Sequence, residues 1–351
     1  MSLKLCVIPG DGVGREVIPC AVEALRRVAP DLETVYADAG WECFSQVGNA
    51  FPEATRAAIG ACGAALFGAT SSPSRKVEGY RSPILQMRQA FDLFANLRPT
   101  RDVGLRIAGS GVGAELPPGV TPADLLIVRE NTEGLYVQRE YLRGDEAVAE
   151  RVITQAASAR IGRVALEHAR RRRKRLTIVH KANILPLTDG VFRDAVRAEA
   201  AAFPEVAINE LLVDTAALQI GARPQQFDVI VTTNLFGDIL SDLASMWGGG
   251  MGVAPALNLG ISVAIAEPVH GSAPDIAGKG VANPAGAILS AALLLRYHWS
   301  RPEAADRLER AVHAALGAGA RTPDLGGTAT TRSVTDAVLA RLGAEENKPR
   351  G

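Results

Sequence analysis

Short apolar runs alternate with helically periodic stretches along most of this chain, and this alternation constrains its fold more than any other feature. The first run, Lys4–Ile8, stops at the turn Pro9-Gly10-Asp11-Gly12, and apolar residues then recur at helical spacing from Val17 to Val28. Further strand-like runs are Thr34–Ala37, Ala64–Phe67, Leu125–Val128, Leu176–Val179, Val206–Val213 and Phe227–Val231. Helical stretches such as Ser158–Arg171 and Asp189–Ala201 lie between them. The alternation predicts an α/β fold with a mostly parallel sheet.

The charge balance and the cysteines exclude several functional classes. Lys plus Arg and Asp plus Glu both number 38, so the formal net charge is zero, and no apolar run reaches the length of a bilayer span. The four cysteines have no CxxC spacing, which argues against a zinc site or a disulfide scaffold. We expect a cytoplasmic protein that binds neither nucleic acid nor a membrane, and we interpret the basic run Arg170–Arg175 as the solvated end of a helix.

A glycine-rich turn at Gly10–Gly14 follows the first predicted strand and precedes a helix. This is the position of a phosphate-binding loop, but the pattern fits neither GxGxxG nor the Walker motif. A turn that requires positive φ is an equally good interpretation.

Two carboxylates four residues apart, Asp238 and Asp242, lie in the stretch NLFGDILSD. On a helix they share one face, and no Lys or Arg lies between them in the sequence. A Mg²⁺ or Mn²⁺ ion would relieve their repulsion, whereas the alternative is a pair of solvated acids.

Other candidate residues follow strand-like runs, where α/β proteins place ligands. Tyr136 in RENTEGLY and Lys181 in HKAN are a possible acid and base. Three arginines with the fork geometry that matches carboxylates would suit a di- or tricarboxylate; they are Arg88, Arg98 and Arg129. The Gly- and Pro-rich stretch Glu267–Pro284 is a constrained loop that can hold a nucleotide through its main chain.

Taken together and in this order, these motifs resemble the β-decarboxylating dehydrogenases, which include isocitrate, 3-isopropylmalate, homoisocitrate and tartrate dehydrogenases. The resemblance extends from the PGDGVG turn to the RTPDLGGTATT segment. It implies the isopropylmalate/isocitrate dehydrogenase-type fold, which is not of the Rossmann type, with two α/β domains and a cleft between them. Residues 1–99 plus 253–351 would form a large cofactor-binding domain. Residues 100–252 would form a smaller domain for substrate, metal and dimerisation, with the crossing in the Gly- and Pro-rich stretch Thr100–Pro122.

The resemblance also implies roles for individual residues. Lys181 would be the base on the substrate 2-hydroxyl and Tyr136 the acid that protonates the enol. Mg²⁺ or Mn²⁺ would be bound by Asp238 and Asp242 and by Asp214 of the second subunit, so that a homodimer, possibly assembled into a tetramer, shares its active sites. Lys181 would likewise act in the partner's site. The residues implied to contact the substrate are Ser72, Leu85, Arg88, Arg98, Arg129 and Asn183.

The implied cofactor is NAD, and its adenosine side would be held by His270, Gly271, Ala273, Asp275 and Asn283. Asp275-Ile276 is the NAD-type pair, where NADP-dependent relatives carry Lys-Tyr. An Asp in such a loop accepts hydrogen bonds from the ribose diol and repels a 2′-phosphate.

The substrate would be a 2-hydroxy tricarboxylate or a related malate. Ile84 and Leu85 in SPILQMR are apolar, which favours 3-isopropylmalate and leucine biosynthesis. RENTEG and the segment Phe67–Tyr80 resemble homoisocitrate dehydrogenases of lysine biosynthesis by the α-aminoadipate route, and this is the reading we favour. Isocitrate and tartrate are further alternatives. A regulatory subunit without turnover is a different class, but the Lys, Tyr and Asp residues that such subunits lose are all present.

Overall fold

The structure is a computed structural model that describes residues 2–75, 77–108 and 122–346. The chain forms two compact units. Unit 1 comprises the described residues of Met1–Phe91, Val103–Glu115 and Gly248–Gly351, and unit 2 those of Asp92–Asp102 and Leu116–Trp247. The units differ from the expected boundaries at three places: residues 92–99 lie in unit 2, and residues 103–108 and 248–252 lie in unit 1. Within the predicted crossing Thr100–Pro122, residues 109–121 lie outside the described residues.

The secondary structure elements are numbered in chain order. The strands are β1 (Leu3–Ile8), β2 (Leu32–Tyr36), β3 (Ala64–Phe67), β4 (Ala95–Arg101), β5 (Asp124–Glu130), β6 (Glu140–Arg143), β7 (Glu146–Ala149), β8 (Arg175–His180), β9 (Ala207–Leu212), β10 (Val229–Thr232), β11 (Pro255–Leu259) and β12 (Ala264–Pro268). The helices are α1 (Gly14–Val28), α2 (Trp41–Val47), α3 (Glu53–Cys62), α4 (Pro83–Ala90), α5 (Gln155–Arg171), α6 (Thr188–Ala200), α7 (Val213–Ala222), α8 (Asn234–Ser245), α9 (Ala285–Leu293), α10 (Pro302–Gly317) and α11 (Thr331–Glu346). Short 3₁₀ turns occur at Leu135–Val137, Pro224–Gln226, Met246–Gly248 and Pro323–Leu325, and a π-helical turn at Leu294–His298.

In unit 1 the strands lie in the order β2-β1-β3-β12-β11. The pairs β1–β2, β1–β3 and β12–β3 are parallel, and β11 and β12 form an antiparallel pair. Every residue of α9 is buried, and this helix packs against α1, α10, β11 and β12. The apolar face predicted for Val17–Val28 is the buried face of α1. The core of unit 1 therefore lies between this helical layer and its strands.

In unit 2 the strands lie in the order β4-β5-β10-β8-β9. β5, β10, β8 and β9 are parallel neighbours, whereas β4 runs antiparallel to β5. An apolar core between these strands and helices α7 and α8 includes Ile127, Ile220 and Leu240. The ends of β5, β8 and β10 lead into the segments that carry the candidate site residues.

The α/β class and the mostly parallel pairing are confirmed. The basic run contains the end of α5, as expected, but it is not simply solvated. Arg172 pairs with Asp124 at 2.9 Å and with Asp228 at 2.8 Å, and the side chain of Asp228 is fully buried. Within the described ranges, no helix combines the length and the apolar character that crossing a membrane requires.

Candidate active site

Several predicted site residues of unit 2 lie around helix α8. Asp238 and Asp242 lie on consecutive turns of α8, which begins two residues after β10 ends. Arg129 comes from the end of β5, Arg98 from β4, and Tyr136 from the 3₁₀ turn Leu135–Val137. β4 and β10 both flank β5, so Arg98 and Arg129 lie on neighbouring strands, and Tyr136 and α8 follow the ends of β5 and β10.

The guanidinium of Arg129 is the most enclosed charge of this cluster, since the residue is 1% exposed. It donates to Oδ1 of Asn234, the first residue of α8, at 2.8 and 3.1 Å, and it forms an ion pair with Asp238. Gly237 makes room for it, because a Cβ at that position would lie 2.6 Å from Cγ and 2.7 Å from Cβ of Arg129. The Gly in NLFGDILSD is therefore a packing requirement of the arginine.

Arg98 lies beside both carboxylates of α8. It donates to Asp242 at 3.0 Å and to Ser241 at 2.9 Å, and its guanidinium lies 3.4 Å from Asp238. Burial raises the pKa of the Asp242 carboxyl, an effect that the Asp238 charge reinforces and the Arg98 charge opposes. The charges of the two acids are thus neutralised by arginines of strands β4 and β5. The local sequence around α8 does not reveal these partners.

Tyr136 is the predicted acid, and its hydroxyl contacts the same cluster. It donates to Oδ2 of Asp238 at 2.6 Å, while the guanidinium carbon of Arg129 lies 5.1 Å from its ring centre. The hydroxyl is therefore held beside a carboxylate and a cation, where it can give a proton to a bound molecule.

The cluster supplies two of the oxygen ligands that a divalent cation requires. Asp238 and Asp242 are partly exposed carboxylates on one helix face, a donor set that suits Mg²⁺ or Mn²⁺. Over the described part of the chain, no group of three or more His, Cys, Asp or Glu side chains is placed to hold a metal. A complete site built on these residues therefore needs ligands from elsewhere, such as water, substrate or a second chain.

Lys181 and Asp214 form a separate pair. Nζ of Lys181 donates to Oδ1 of Asp214 at 2.6 Å, and this hydrogen bond lowers the pKa of the Asp214 carboxyl. Lys181 follows β8 and Asp214 lies in the first turn of α7, and both are accessible, with side-chain exposures of 25% and 64%. Asn183 is exposed in the same loop.

In unit 1, Arg88 lies on α4 and is 6% exposed. Its Nε donates to Asn258 at 3.2 Å, and its guanidinium pairs with Glu267 at 3.5 Å. Leu85, one helical turn earlier, is half-buried, so the apolar side chain and the arginine share one face of α4. Ser72 is exposed in the segment that precedes α4.

The predicted nucleotide loop lies between β12 and α9. Nδ1 of His270 lies 3.0 Å from the Gly271 carbonyl, and burial lowers the pKa of the ring. A neutral ring that donates from Nδ1 has Nε2 as an acceptor, and this buried atom has no hydrogen-bond partner in the described chain. Asn283 is 6% exposed, donates to Asp324 at 3.1 Å and accepts from Ala285 N, while Asp275 is exposed. A buried acceptor without a partner and an exposed Asp in the same loop fit a nucleotide.

Residue Ala273 of this loop has a φ of 39°, and Gly271 is exposed. The backbone at Ala273 accepts hydrogen bonds from Ile276 and Ala277, at 3.1 and 3.2 Å. The segment around Asp275 therefore forms a compact turn.

The Gly10–Gly14 turn, whose role the sequence left open, uses its amides within unit 1. Asp11 N donates to Ala69 O and Val13 N to Ser272 O, at 2.8 and 2.9 Å. A Cβ at Gly10 or Gly12 would lie within 2.3 Å of a backbone oxygen. These contacts favour the interpretation as a tight turn over that of a phosphate loop.

Sequence reasoning missed the residues that orient the predicted ones. Asn234 and Ser241 hold the arginines, and Asp189 accepts from Lys181 N at 2.6 Å while pairing with Arg151 at 2.5 Å. Their signals were weak, because a lone Asn, Ser or Asp on a helix is usually solvated. In the sequence, Asp189 stands at the start of a helical pattern, eight residues after Lys181.

Comparison with known proteins agrees with these features. The family model described as isocitrate/isopropylmalate dehydrogenase matches residues 4–338. The isocitrate/homoisocitrate dehydrogenase of Thermus thermophilus is 52% identical over 343 residues, which cover 97% of this chain and 99% of that protein. The homoisocitrate dehydrogenase of Methanocaldococcus jannaschii is 45% identical, with 96% of this chain and 97% of that protein covered. The crystal structure of isocitrate dehydrogenase from Methylococcus capsulatus superposes with a TM-score of 0.87 at 38% identity, over 97% of this chain and 99% of that chain.

The matches cover nearly the whole sequence, at these identities and with the same fold. They establish the family that the motifs resemble. The chain belongs to the isocitrate/isopropylmalate dehydrogenase family.

Proposed function

We propose that this protein catalyses the NAD-dependent oxidative decarboxylation of homoisocitrate to 2-oxoadipate and CO₂, in lysine biosynthesis. The observation that carries the chemistry is the cluster in which Arg98, Arg129 and Tyr136 meet Asp238 and Asp242. Two buried guanidinium groups beside a Tyr hydroxyl are equipped to hold a carboxylate and to deliver a proton. The choice of homoisocitrate is supported by the RENTEG motif and by the names of the two relatives above.

The residues divide the reaction between them. Lys181 takes the proton of the 2-hydroxyl, directly or through water. NAD, held by the loop that carries His270, Asp275 and Asn283, would supply the acceptor for the hydride on the same carbon, and the product of this oxidation is a 2-oxo acid. The β-carboxylate then leaves as CO₂, its bonding electrons pass into an enolate, and Tyr136 gives its proton to the third carbon. Arg98 and Arg129 hold the substrate carboxylates and fix its orientation. A Mg²⁺ or Mn²⁺ ion held by Asp238, Asp242 and the partner's Asp214 would stabilise negative charge on the 2-oxygen.

We further propose that the chain works as a homodimer, in which Lys181 and Asp214 serve the partner's site. Large apolar side chains of unit 2 are exposed on the β6–β7 hairpin and on helices α7 and α8; they are Tyr141, Leu142, Leu218 and Ile239. Ile184 and Leu187, which flank the Lys181 loop, are 66% and 82% exposed. An interface between subunits would cover these exposed apolar side chains, and they support the proposal in that sense.

The substrate is tested by initial rates of NADH formation with Mg²⁺ for homoisocitrate, isocitrate and 3-isopropylmalate. We expect the highest kcat/KM for homoisocitrate, by about tenfold or more, which corresponds to about 1.4 kcal/mol. The Tyr136→Phe variant should lose turnover, whereas Tyr36→Phe, at a 58% exposed tyrosine of β2, should retain it. No turnover of any of the three acids by the wild type would refute the proposal.

3-Isopropylmalate is the second candidate, and the apolar residues of α4 favour it. Ile84 and Leu85 are half-buried and lie one turn from Arg88, where they could cover a branched alkyl group. If 3-isopropylmalate gives the highest kcat/KM, the enzyme belongs to leucine biosynthesis, and Leu85 is the residue whose substitution should change the preference.

A further inference from the structure

Glu16, in the first turn of helix α1, contacts the predicted nucleotide loop although it is 262 residues away in the chain. One oxygen of its carboxylate accepts from Gly278 N at 2.5 Å, and the other accepts from Gly280 N at 3.0 Å. A single half-buried side chain thus binds two main-chain amides that are two residues apart. An acid in the first turn is also favoured by the helix dipole of α1.

The loop is held at both of its ends by main-chain hydrogen bonds. Ser272 O accepts from Val13 N at 2.9 Å, and Gly280 O accepts from Thr331 N at 2.8 Å. Between these points lies the segment that carries Ala273 and Asp275. Gly278 and Gly280 have φ values of 78° and 64°, a left-handed conformation that turns their amides toward Glu16.

We propose that Glu16 is a positioning residue for cofactor binding, which acts by holding the segment Ala273–Gly280 in the conformation that receives the adenosine moiety. This inference rests on the proposed function, because it takes that loop to bind NAD. Hydrogen bonds from amides to a carboxylate are stronger than those between neutral groups, so the loop is ordered before the cofactor arrives. Without Glu16, ordering the loop would cost free energy when NAD binds, so the affinity for NAD would fall. The hydroxy acid site would be unchanged.

The Glu16→Gln variant tests the inference, because an amide keeps the size but has only one acceptor oxygen. We expect KM for NAD to rise about tenfold, with kcat and KM for the hydroxy acid within about twofold of the wild type. The matched control is Glu23→Gln on the same helix, where Glu23 forms an exposed ion pair with Arg332 at 2.7 Å. The control should behave as the wild type.

Trypsin provides a readout that does not depend on turnover. Lys279 is exposed and lies between the two glycines that Glu16 holds. Cleavage after Lys279, identified by mass spectrometry, should be faster in Glu16→Gln than in the wild type or in Glu23→Gln, and NAD should slow it in each protein. If Glu16→Gln does not fold, as judged by circular dichroism, Glu16→Asp keeps the charge, shortens the reach and should show the same two effects.

The outcomes separate the two proposals. A wild type that neither turns over nor is protected by NAD overturns the proposed function. A wild type that is active and protected by NAD, with Glu16 variants that match Glu23→Gln in both KM for NAD and cleavage rate, overturns the role of Glu16. A rise of both KM values together would indicate a general structural defect and would also overturn it.

Discussion

The Gly237→Ala substitution tests whether the site depends on close approach between α8 and Arg129. The new Cβ would lie 2.6 Å from Cγ, 2.7 Å from Cβ and 3.1 Å from Cδ of Arg129. These are the first atoms of the arginine side chain, so rotation of its far end cannot relieve the overlap. The guanidinium is in turn held by Asn234 and Asp238, which gives it little freedom to withdraw.

The expected cost follows from these contacts. Overpacking of this kind destabilises a protein by about 1–3 kcal/mol, whereas replacing Gly by Ala in a helix stabilises it by up to about 1 kcal/mol. We therefore expect the free energy of unfolding to fall by about 1–2 kcal/mol. If the backbone relaxes by shifting Arg129, the loss of its position against the substrate should lower kcat/KM by about tenfold to a hundredfold.

The assays are urea unfolding and initial rates of NADH formation, with Gly60→Ala as the matched control. Gly60 lies in helix α3, and among the described residues its new Cβ would approach Phe91 Cε1 alone, at 3.9 Å. The control should be as stable as the wild type or more stable by up to about 1 kcal/mol, and fully active. A Gly237→Ala enzyme that matches Gly60→Ala in both stability and kcat/KM would refute the reasoning.

Three further predictions concern subunits, pH and a buried ion pair. Mixing inactive Lys181→Met and Tyr136→Phe chains should restore about a quarter of the wild-type rate after subunit exchange, because half of the dimers would be hybrids and each hybrid would have one intact site of two. No recovery would show that each chain builds its own site. Burial lowers the pKa of His168 from 6.5 to about 4, so protonation of this ring favours the unfolded chain. The contribution of the neutral ring to the free energy of unfolding is therefore present above pH 6.5 and is lost as the pH falls toward 4. His168→Gln should reduce the stability loss between pH 7.5 and 5, measured by urea unfolding, by about 2 kcal/mol. Arg172→Met should lower the free energy of unfolding by about 2–3 kcal/mol, since it leaves the buried Asp228 without its main partner. A smaller decrease, measured by urea unfolding, would indicate that Arg173 is the main partner of Asp228.

The parts of the fold that the sequence predicts are those with local apolar periodicity. Ala64–Phe67 matches β3 residue for residue, and the helix expected at Ser158–Arg171 is α5, which begins three residues earlier. Burial on both faces produces continuous apolar runs, which can be recognised without knowing their partners. This is why the predicted order of strands and helices agrees with the structure.

Other strands lack that pattern. β4 has the sequence ANLRPTR, in which an arginine and a proline interrupt the apolar run, yet it pairs with β5 along its whole length. The strands β6 and β7 are largely exposed, so no buried face marks them in the sequence. Their structure comes from pairing with a neighbour, which no single segment encodes.

The same limit applies to the candidate site. The motifs identified Arg129, Tyr136 and Asp238 separately, but the Tyr136–Asp238 hydrogen bond joins residues that are 102 positions apart, and the Arg129–Asp238 pair spans 109. Such contacts depend on strand order, because β5 and β10 are neighbours only once the sheet has formed. The sequence therefore identifies these side chains as candidates, while the fold determines which of them meet.

This pairing changes how the two carboxylates of α8 should be understood. Repulsion between Asp238 and Asp242 suggested a cation, yet Arg98 and Arg129 already neutralise them. Under the proposed function, a carboxylate substrate would pair with the arginines and a divalent cation with the aspartates, so that each group keeps a partner of opposite charge. A cation arriving alone would draw the aspartates away from the guanidinium of Arg129, which is 1% exposed, and a buried charge without a partner is costly. We therefore expect the proposed substrate and cation to bind jointly, with the arginine–aspartate pairs holding the cluster together in their absence.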